Sequence, residues 1–155
     1  MKLKKIIIIL FALFFLAVTL KAEEPQRGNC ILYNLEGGEV RLSDFKGKPL
    51  LLWFWTTWCP YCREAIPDLN NVYPELKSEG IELLAVNVDE TKEKISRFIK
   101  HYPIDFNILQ DKGARCVFSY GVIGVPTYIL VDKNGKVRFK QNYFPQDKYK
   151  QLLTN

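Results

Sequence analysis

Cys59 and Cys62 stand two positions apart in Trp55-Thr56-Thr57-Trp58-Cys59-Pro60-Tyr61-Cys62-Arg63-Glu64-Ala65-Ile66-Pro67, where a strand-forming apolar run gives way to helical spacing. Two thiols one helical turn apart can close a disulfide with little backbone movement, so thiol and disulfide exchange is the chemistry this pair can do. With Cys59 at the opening of the turn, Cys59 is expected to be exposed and Cys62 half sheltered. A helix N-terminus offers unpaired N–H groups and about half a positive charge, which favours a thiolate there. Pro60 suits the first turn, where its missing N–H would have had no partner. A zinc site needs two further ligands, and the chain offers one histidine, His101, and two isolated cysteines, Cys30 and Cys116. No metal is expected on that count. A haem attachment site fails because Arg63 follows Cys62 where a histidine would be needed.

The elements that must position the pair can be read on either side of it. Leu50 to Trp55 is apolar on both faces, which places it inside a covered sheet. Before it, Cys30 to Tyr33 and Glu39 to Leu42 flank Glu36-Gly37-Gly38 and read as a β-hairpin. After the cysteines, Ile66, Leu69, Val72 and Tyr73 keep helical spacing to about Lys77, with kinks or breaks expected at Pro67 and Pro74. Ile81 to Val88 reads as a strand, Thr91 to Tyr102 as an amphipathic helix, Phe106 to Leu109 as extended, and Gly113 to Tyr120 as a helix carrying Cys116. Thr127 to Val131 is another buried strand. Asn134-Gly135 turns the chain into an antiparallel return over Val137 to Tyr143, and Pro145 and Gln146 open a terminal helix through Leu153. The rhythm is that of an α/β sheet with crossover helices.

Residues 1–22 lie apart from this domain. Lys2, Lys4 and Lys5 precede an apolar stretch from Ile6 to Leu20, and Lys21-Ala22-Glu23-Glu24 turns polar. This is the pattern of an export signal. Fifteen helical residues span about 22 Å against a hydrocarbon core of roughly 30 Å, which favours a cleavable signal over a membrane span, with an N-terminal anchor as the alternative. The division expected is signal or anchor over 1–22, a linker over 23–29 and one domain over 30–155. The segment 1–22 holds four lysines and no acid, so the formal net charge of +5 falls to +1 without it. Basicity therefore belongs to targeting, and nucleic acid is excluded as a partner. In an exported chain four cysteines read as two pairs, Cys59 with Cys62 and Cys30 with Cys116; two buried thiols acting as small hydrophobes are the alternative for the second.

A second element completes the site. Gly121-Val122-Ile123-Gly124-Val125-Pro126-Thr127 places a proline at the start of a strand, and X-Pro is the bond at which cis costs least. Together with Cys-Pro-Tyr-Cys at a strand-to-helix junction, this resembles the thioredoxin superfamily. The Trp55 to Pro67 stretch, the leading hairpin with Leu42-Ser43-Asp44-Phe45-Lys46-Gly47-Lys48, and Tyr120 to Thr127 resemble more closely its TlpA/ResA/DsbE group of exported thiol:disulfide oxidoreductases.

The resemblance runs from about Cys30 to the C-terminus. It implies a three-layer fold with a central mixed sheet, an N-terminal hairpin and the group's insertion over Asp89 to Leu109. It also implies Cys59 as nucleophile, Cys62 as resolving thiol, and a cis-proline loop at Val125-Pro126 facing both, with Trp58, Pro60 and Tyr61 on the substrate side. No cofactor beyond the Cys59–Cys62 disulfide is implied. The implied partners are disulfide-containing exported proteins, apocytochrome c among them, and a membrane thiol donor of the CcdA/DsbD kind, all outside the cytoplasm.

Two positions depart from the family pattern. Trp53 stands where thioredoxins hold a buried Asp, and Ala65 where ResA-like proteins often use Glu. Water, Asp89 or Glu90 is then left to take the proton of Cys62, with Glu64 expected to face solvent. Two other classes compete. Thr56, three before Cys59, suits a peroxiredoxin-like peroxidase, although Leu52 replaces that group's proline. A Sco-like copper chaperone shares the fold but spaces its cysteines by three.

Overall fold

The computed structural model describes residues 30–146 and 149–154. The expected export signal at 1–22 and linker at 23–29 lie outside the described residues. Among the described residues no helix is long and apolar enough to cross a membrane.

The strand that ends at the cysteines, β3 (Leu50–Trp55), is buried at every position. Side chains alternate across a sheet, so a strand apolar at both parities serves two cores. Leu51, Trp53 and Trp55 enter one core with Cys59 and Cys62, while Leu50, Leu52 and Phe54 enter the other with Cys30 and Cys116. The strands β4 (Glu82–Val88) and β6 (Thr127–Val131) flank β3 and divide in the same way. β4 runs parallel to β3, with Trp53 opposite Ala85, and β6 antiparallel, with Trp53 opposite Tyr128. β5 (Asn107–Asp111) extends the sheet parallel to β4, and β1 (Ile31–Asn34), β2 (Glu39–Arg41) and β7 (Val137–Gln141) complete seven strands in the order β2-β1-β5-β4-β3-β6-β7. The mixed sheet is covered on both sides, giving the three layers expected.

Both hairpins form. In the first, Gly37 adopts φ 93°, and Asn34 Oδ1 accepts the Gly38 N–H at 2.7 Å. In the second, Asp132 Oδ1 accepts the N–H groups of Asn134 at 2.8 Å and Lys136 at 3.0 Å.

Helix α1 (Pro60–Ser78) runs unbroken through Pro67 and Pro74, so neither proline breaks it. Both prolines are exposed, whereas Cys62, Ile66, Leu69 and Leu76 form the buried stripe. The carbonyls that the prolines leave free therefore face solvent, and packing of the opposite face holds the helix together. Helix α2 (Lys92–Ile99) starts on the Thr91 cap, whose hydroxyl accepts the Lys94 N–H at 3.3 Å. It joins the same core as α1 through Ile95. On the other face, α3 (Arg115–Ser119) is shorter than the helix expected from Gly113, because Gly113 and Ala114 take positive φ values of 71° and 54°. Asp111 at the end of β5 then accepts the N–H of Cys116 at 3.0 Å and of Val117 at 2.8 Å, satisfying the first amides of α3. The terminal helix α4 (Tyr149–Thr154) begins later than Pro145 and packs Tyr149 into the α1 core.

Candidate functional site

The junction between β3 and α1 sets both thiols. Cys59 is the N-cap of α1, with extended backbone (φ −78°, ψ 114°), and its Sγ accepts the Cys62 N–H at 3.2 Å. One sulfur thus replaces the oxygen that usually caps such a helix. Across the site, the Val125-Pro126 bond is cis, and the Cys59 thiol donates to the Val125 carbonyl at 3.7 Å. Both thiols are free.

Burial departs from expectation. Cys59 is 2 % exposed and Cys62 is 0 %. The expected exposed nucleophile is covered, because the Val125 carbonyl closes one side and the helix the other. Exposure instead belongs to the flanking rings, Trp58 at 64 % and Tyr61 at 71 %, with exposed Pro60 between the cysteines. Trp55, by contrast, is core, stacked on Trp53 with centroids 5.4 Å apart. Burial, then the hydrogen bond with Cys59, pushes the Cys62 thiol well above the ordinary thiol range. The same burial, with Cys62 nearby, raises the Tyr128 phenol on β6.

Beside the thiols a groove of about 830 Å³ is lined by Tyr61, the Ile123 to Thr127 loop and the Lys140 to Asn142 end of β7. Ile123 projects fully into solvent at its rim. The loop is held from behind by Lys140, whose Nζ donates to the Tyr120 carbonyl at 2.8 Å and to that of Gly121. Thr127 Oγ1 closes it by donating to the Gly124 carbonyl at 2.6 Å. Ahead of the loop, α3 is tied to the start of β1 by a disulfide between Cys116 and Cys30, whose Cα atoms are 5.2 Å apart. The arrangement suits an extended chain laid along Val125-Pro126 with a sulfur presented to Cys59.

Asp89 and Glu90 stand open as neighbours of Cys62, with Glu64 expected to face solvent, and the structure separates them. Glu64 is exposed on α1. Asp89, at φ 50°, turns away and accepts the Gly113 N–H at 2.9 Å. Glu90 reaches under the cysteine loop, where its carboxylate accepts the Thr57 N–H at 2.6 Å, the Thr57 hydroxyl at 2.8 Å and the Asn87 amide at 2.8 Å. Burial acts to raise Glu90, but Lys94, Asn87 and Thr57 together hold it below the usual carboxylate range. Thr57, Asn87, Lys94 and Lys140 were not singled out from sequence. A signal existed for two of them: Asn87 is a polar residue within an apolar strand, and Lys94 follows Glu90 at helical spacing. His101 is exposed beyond the end of α2, and among the described residues no group of three or more His, Cys, Asp or Glu side chains could hold a metal ion.

Comparison with known proteins places this architecture. Residues 19–140 match the AhpC/TSA family. The thiol-disulfide oxidoreductase ResA of Bacillus thuringiensis is 43 % identical over 109 residues, covering 70 % of this chain and 63 % of the relative, so the match spans less than two thirds of that protein. ResA of Geobacillus thermodenitrificans is 40 % identical over 129 residues, covering 83 % of this chain and 74 % of the relative. Among solved structures, one assigned as the thiol:disulfide interchange protein DsbE of Chlorobium tepidum superposes with a TM-score of 0.74 at 31 % identity, covering 84 % of this chain and 94 % of the other.

Proposed function

Since the chain belongs to the AhpC/TSA family, and within it to the ResA/DsbE-like proteins of the thioredoxin superfamily, we propose that it is a thiol:disulfide oxidoreductase that reduces disulfides of proteins outside the cytoplasm. One observation carries the reading. A free dithiol at a helix N-terminus faces a cis-proline loop, with the Cys59 sulfur between the Cys62 N–H and the Val125 carbonyl.

In the forward direction the Cys59 thiolate attacks one sulfur of a substrate disulfide, and the substrate's other sulfur leaves as a thiolate and takes up a proton. Cys62 loses its proton and attacks the Cys59 sulfur of the mixed disulfide. The bond between Cys59 and the substrate breaks as the Cys59–Cys62 bond forms, and the two electrons of the dithiol end on the substrate as two thiols. Helix N–H groups stabilise the attacking sulfur, and the Val125 carbonyl orients it. Burial keeps Cys62 protonated until a mixed disulfide forms, which suits a resolving thiol.

The substrates proposed are exported disulfide-containing proteins, apocytochrome c among them, with a membrane dithiol donor of the CcdA/DsbD kind restoring the reduced state. The apolar stretch of residues 6–20 after three lysines supports the extracytoplasmic setting. Leu52 supports exchange over a peroxiredoxin-type peroxidase. It sits mid-strand in β3, paired on both sides, where a proline could not complete the ladder.

Equilibration of the Cys59/Cys62 couple in glutathione or dithiothreitol buffers tests the direction. A reductase is expected below about −200 mV, and a value near −120 mV, that of a strong oxidant, would overturn it.

A further inference from the structure

Three neighbouring strands end together beneath the cysteines. Trp55 of β3 pairs with Asn87 of β4, and Asn87 with Gln110 of β5, so the loops that follow β3 and β4 leave the sheet side by side. The first carries Thr56 to Cys59 and the second carries Asp89 and Glu90. In the first loop the Thr56 carbonyl accepts the Cys59 N–H at 3.4 Å, which closes a turn with Thr57 and Trp58 at its corners. The orientation of that turn aims the Cys59 sulfur at the Val125 carbonyl, 3.7 Å away, and the Trp58 ring at solvent.

A bond of 3.4 Å is a weak constraint, and the stronger ones come from Glu90. Its Oε2 accepts the Thr57 N–H at 2.6 Å and the Asn87 amide at 2.8 Å, and its Oε1 accepts the Thr57 hydroxyl at 2.8 Å and Lys94 Nζ at 2.6 Å. One carboxylate thus holds both donors of one corner residue. The rigid peptide plane that bears the Thr57 N–H also bears the Thr56 carbonyl, so gripping the first orients the second and, through it, the Cys59 N–H. Glu90 is itself fixed. Its side chain is 6 % exposed, and its backbone carbonyl accepts Gln110 Nε2 at 2.9 Å. A buried carboxylate is costly unless paired and hydrogen-bonded, and here four donors meet its two oxygens.

We propose that Glu90 is a positioning residue for the first exchange step: by holding both donors of Thr57 it fixes the Thr56 to Cys59 turn, and so the placement of the Cys59 sulfur against the Val125-Pro126 loop. The inference rests on the thiol-exchange reading above. Glu90 touches neither sulfur and takes no proton. The step it serves is the attack of the Cys59 thiolate on one substrate sulfur: the bond between Cys59 and that sulfur forms, the substrate disulfide breaks, and the other sulfur leaves as a thiolate and is protonated. Placement matters most for a substrate that the loop already holds, since its sulfur can be reached from one direction only.

In the full chain carrying Cys62→Ser the adduct on Cys59 accumulates, so its formation, followed by rapid mixing, reads the first step alone. Two probes are compared. A peptide disulfide meets Cys59 while lying on the Val125-Pro126 loop, whereas bis-hydroxyethyl disulfide is too small to be held there and approaches freely. Glu90→Ala should slow attack on the peptide about tenfold, the effect of one lost hydrogen bond on a barrier, and leave attack on the small disulfide within about twofold. Partial unfolding would change both rates together, so their ratio isolates positioning. Glu90→Gln keeps one oxygen that can stay on the Thr57 and Asn87 N–H groups, and should return the peptide rate to within about threefold of the Glu90 protein. Thr57→Val, which removes only the hydroxyl bond, should show the same split at about threefold, and Thr57→Ser should abolish it.

Equal slowing with both probes, an unchanged peptide rate in Glu90→Ala, or a Glu90→Gln protein as slow as Glu90→Ala would overturn the proposal, the last because charge and not placement would then matter. Should Glu90→Ala fail to fold, the Thr57 pair decides: equal rates in Thr57→Val and Thr57→Ser would overturn it. A Cys62→Ser protein with Glu90 intact that forms no adduct with the peptide would instead refute the exchange reading itself.

Discussion

Reducing the Cys30–Cys116 bridge should destabilise the domain by an amount that its place in the chain sets. The two cysteines are 86 positions apart, so the bridge closes a loop spanning most of the domain. The chain-entropy relation gives about 4.6 kcal/mol at 25 °C for a loop of that length. Little should be added by packing, because Cys30 at 3 % and Cys116 at 0 % exposure remain good small hydrophobes as thiols. The clean perturbation is reduction by dithiothreitol of the Cys59→Ser, Cys62→Ser protein, in which no other thiol can exchange. With a urea slope of about 2 kcal/mol/M, the unfolding midpoint should fall by about 2 M. Equilibrium urea denaturation followed by tryptophan fluorescence measures it. A midpoint shift under about 0.5 M would refute the reasoning, as would alkylation of both cysteines in the denatured, unreduced protein.

The raised Cys62 thiol predicts a pH effect with a definite sign. An unfolded thiol ionises near 9.0, while burial keeps Cys62 protonated well beyond that in the fold. Its stabilising contribution is therefore complete below pH 9 and is lost as pH rises above it, so the reduced protein should lose stability above pH 9 more steeply than Cys62→Ala, as urea midpoints across pH would show. Lys140→Met removes the donor that holds the Tyr120 and Gly121 carbonyls behind the cis-proline loop. A stability loss of about 1 kcal/mol is expected, with weaker substrate binding and an unchanged Cys59/Cys62 potential. Leu69→Ala, in the stripe that anchors α1, should cost about 2 to 5 kcal/mol in urea unfolding because Leu69 is 1 % exposed.

Local chemistry made much of this molecule legible before its coordinates. The continuous apolar run of β3, the Asn134-Gly135 turn and the cysteine pair at a strand-to-helix junction each carry their own physical signature, and the structure has all three. The prolines of α1 do not break the helix, because a proline's cost depends on which side of the helix it faces, and that is settled by tertiary packing. Cys59 was expected to be exposed because a capping position usually is; what covers it is a carbonyl 66 residues away. The Glu90 to Thr57 contact spans 33 residues and joins two loops whose approach follows only from the parallel pairing of β3 and β4. Helical spacing alone turned Glu64 toward solvent, whereas it took the register of the sheet to separate Glu90 from Asp89.

The central claim is that Cys59 attacks and Cys62 resolves, and trapping the intermediate tests it most directly. The Cys62→Ser protein, mixed with a peptide disulfide and quenched in acid, should carry one peptide per chain, bound to Cys59 and released by dithiothreitol, while wild type retains none and Cys59→Ser forms none. No adduct on Cys62→Ser, or an equal adduct on Cys59→Ser, would contradict the account.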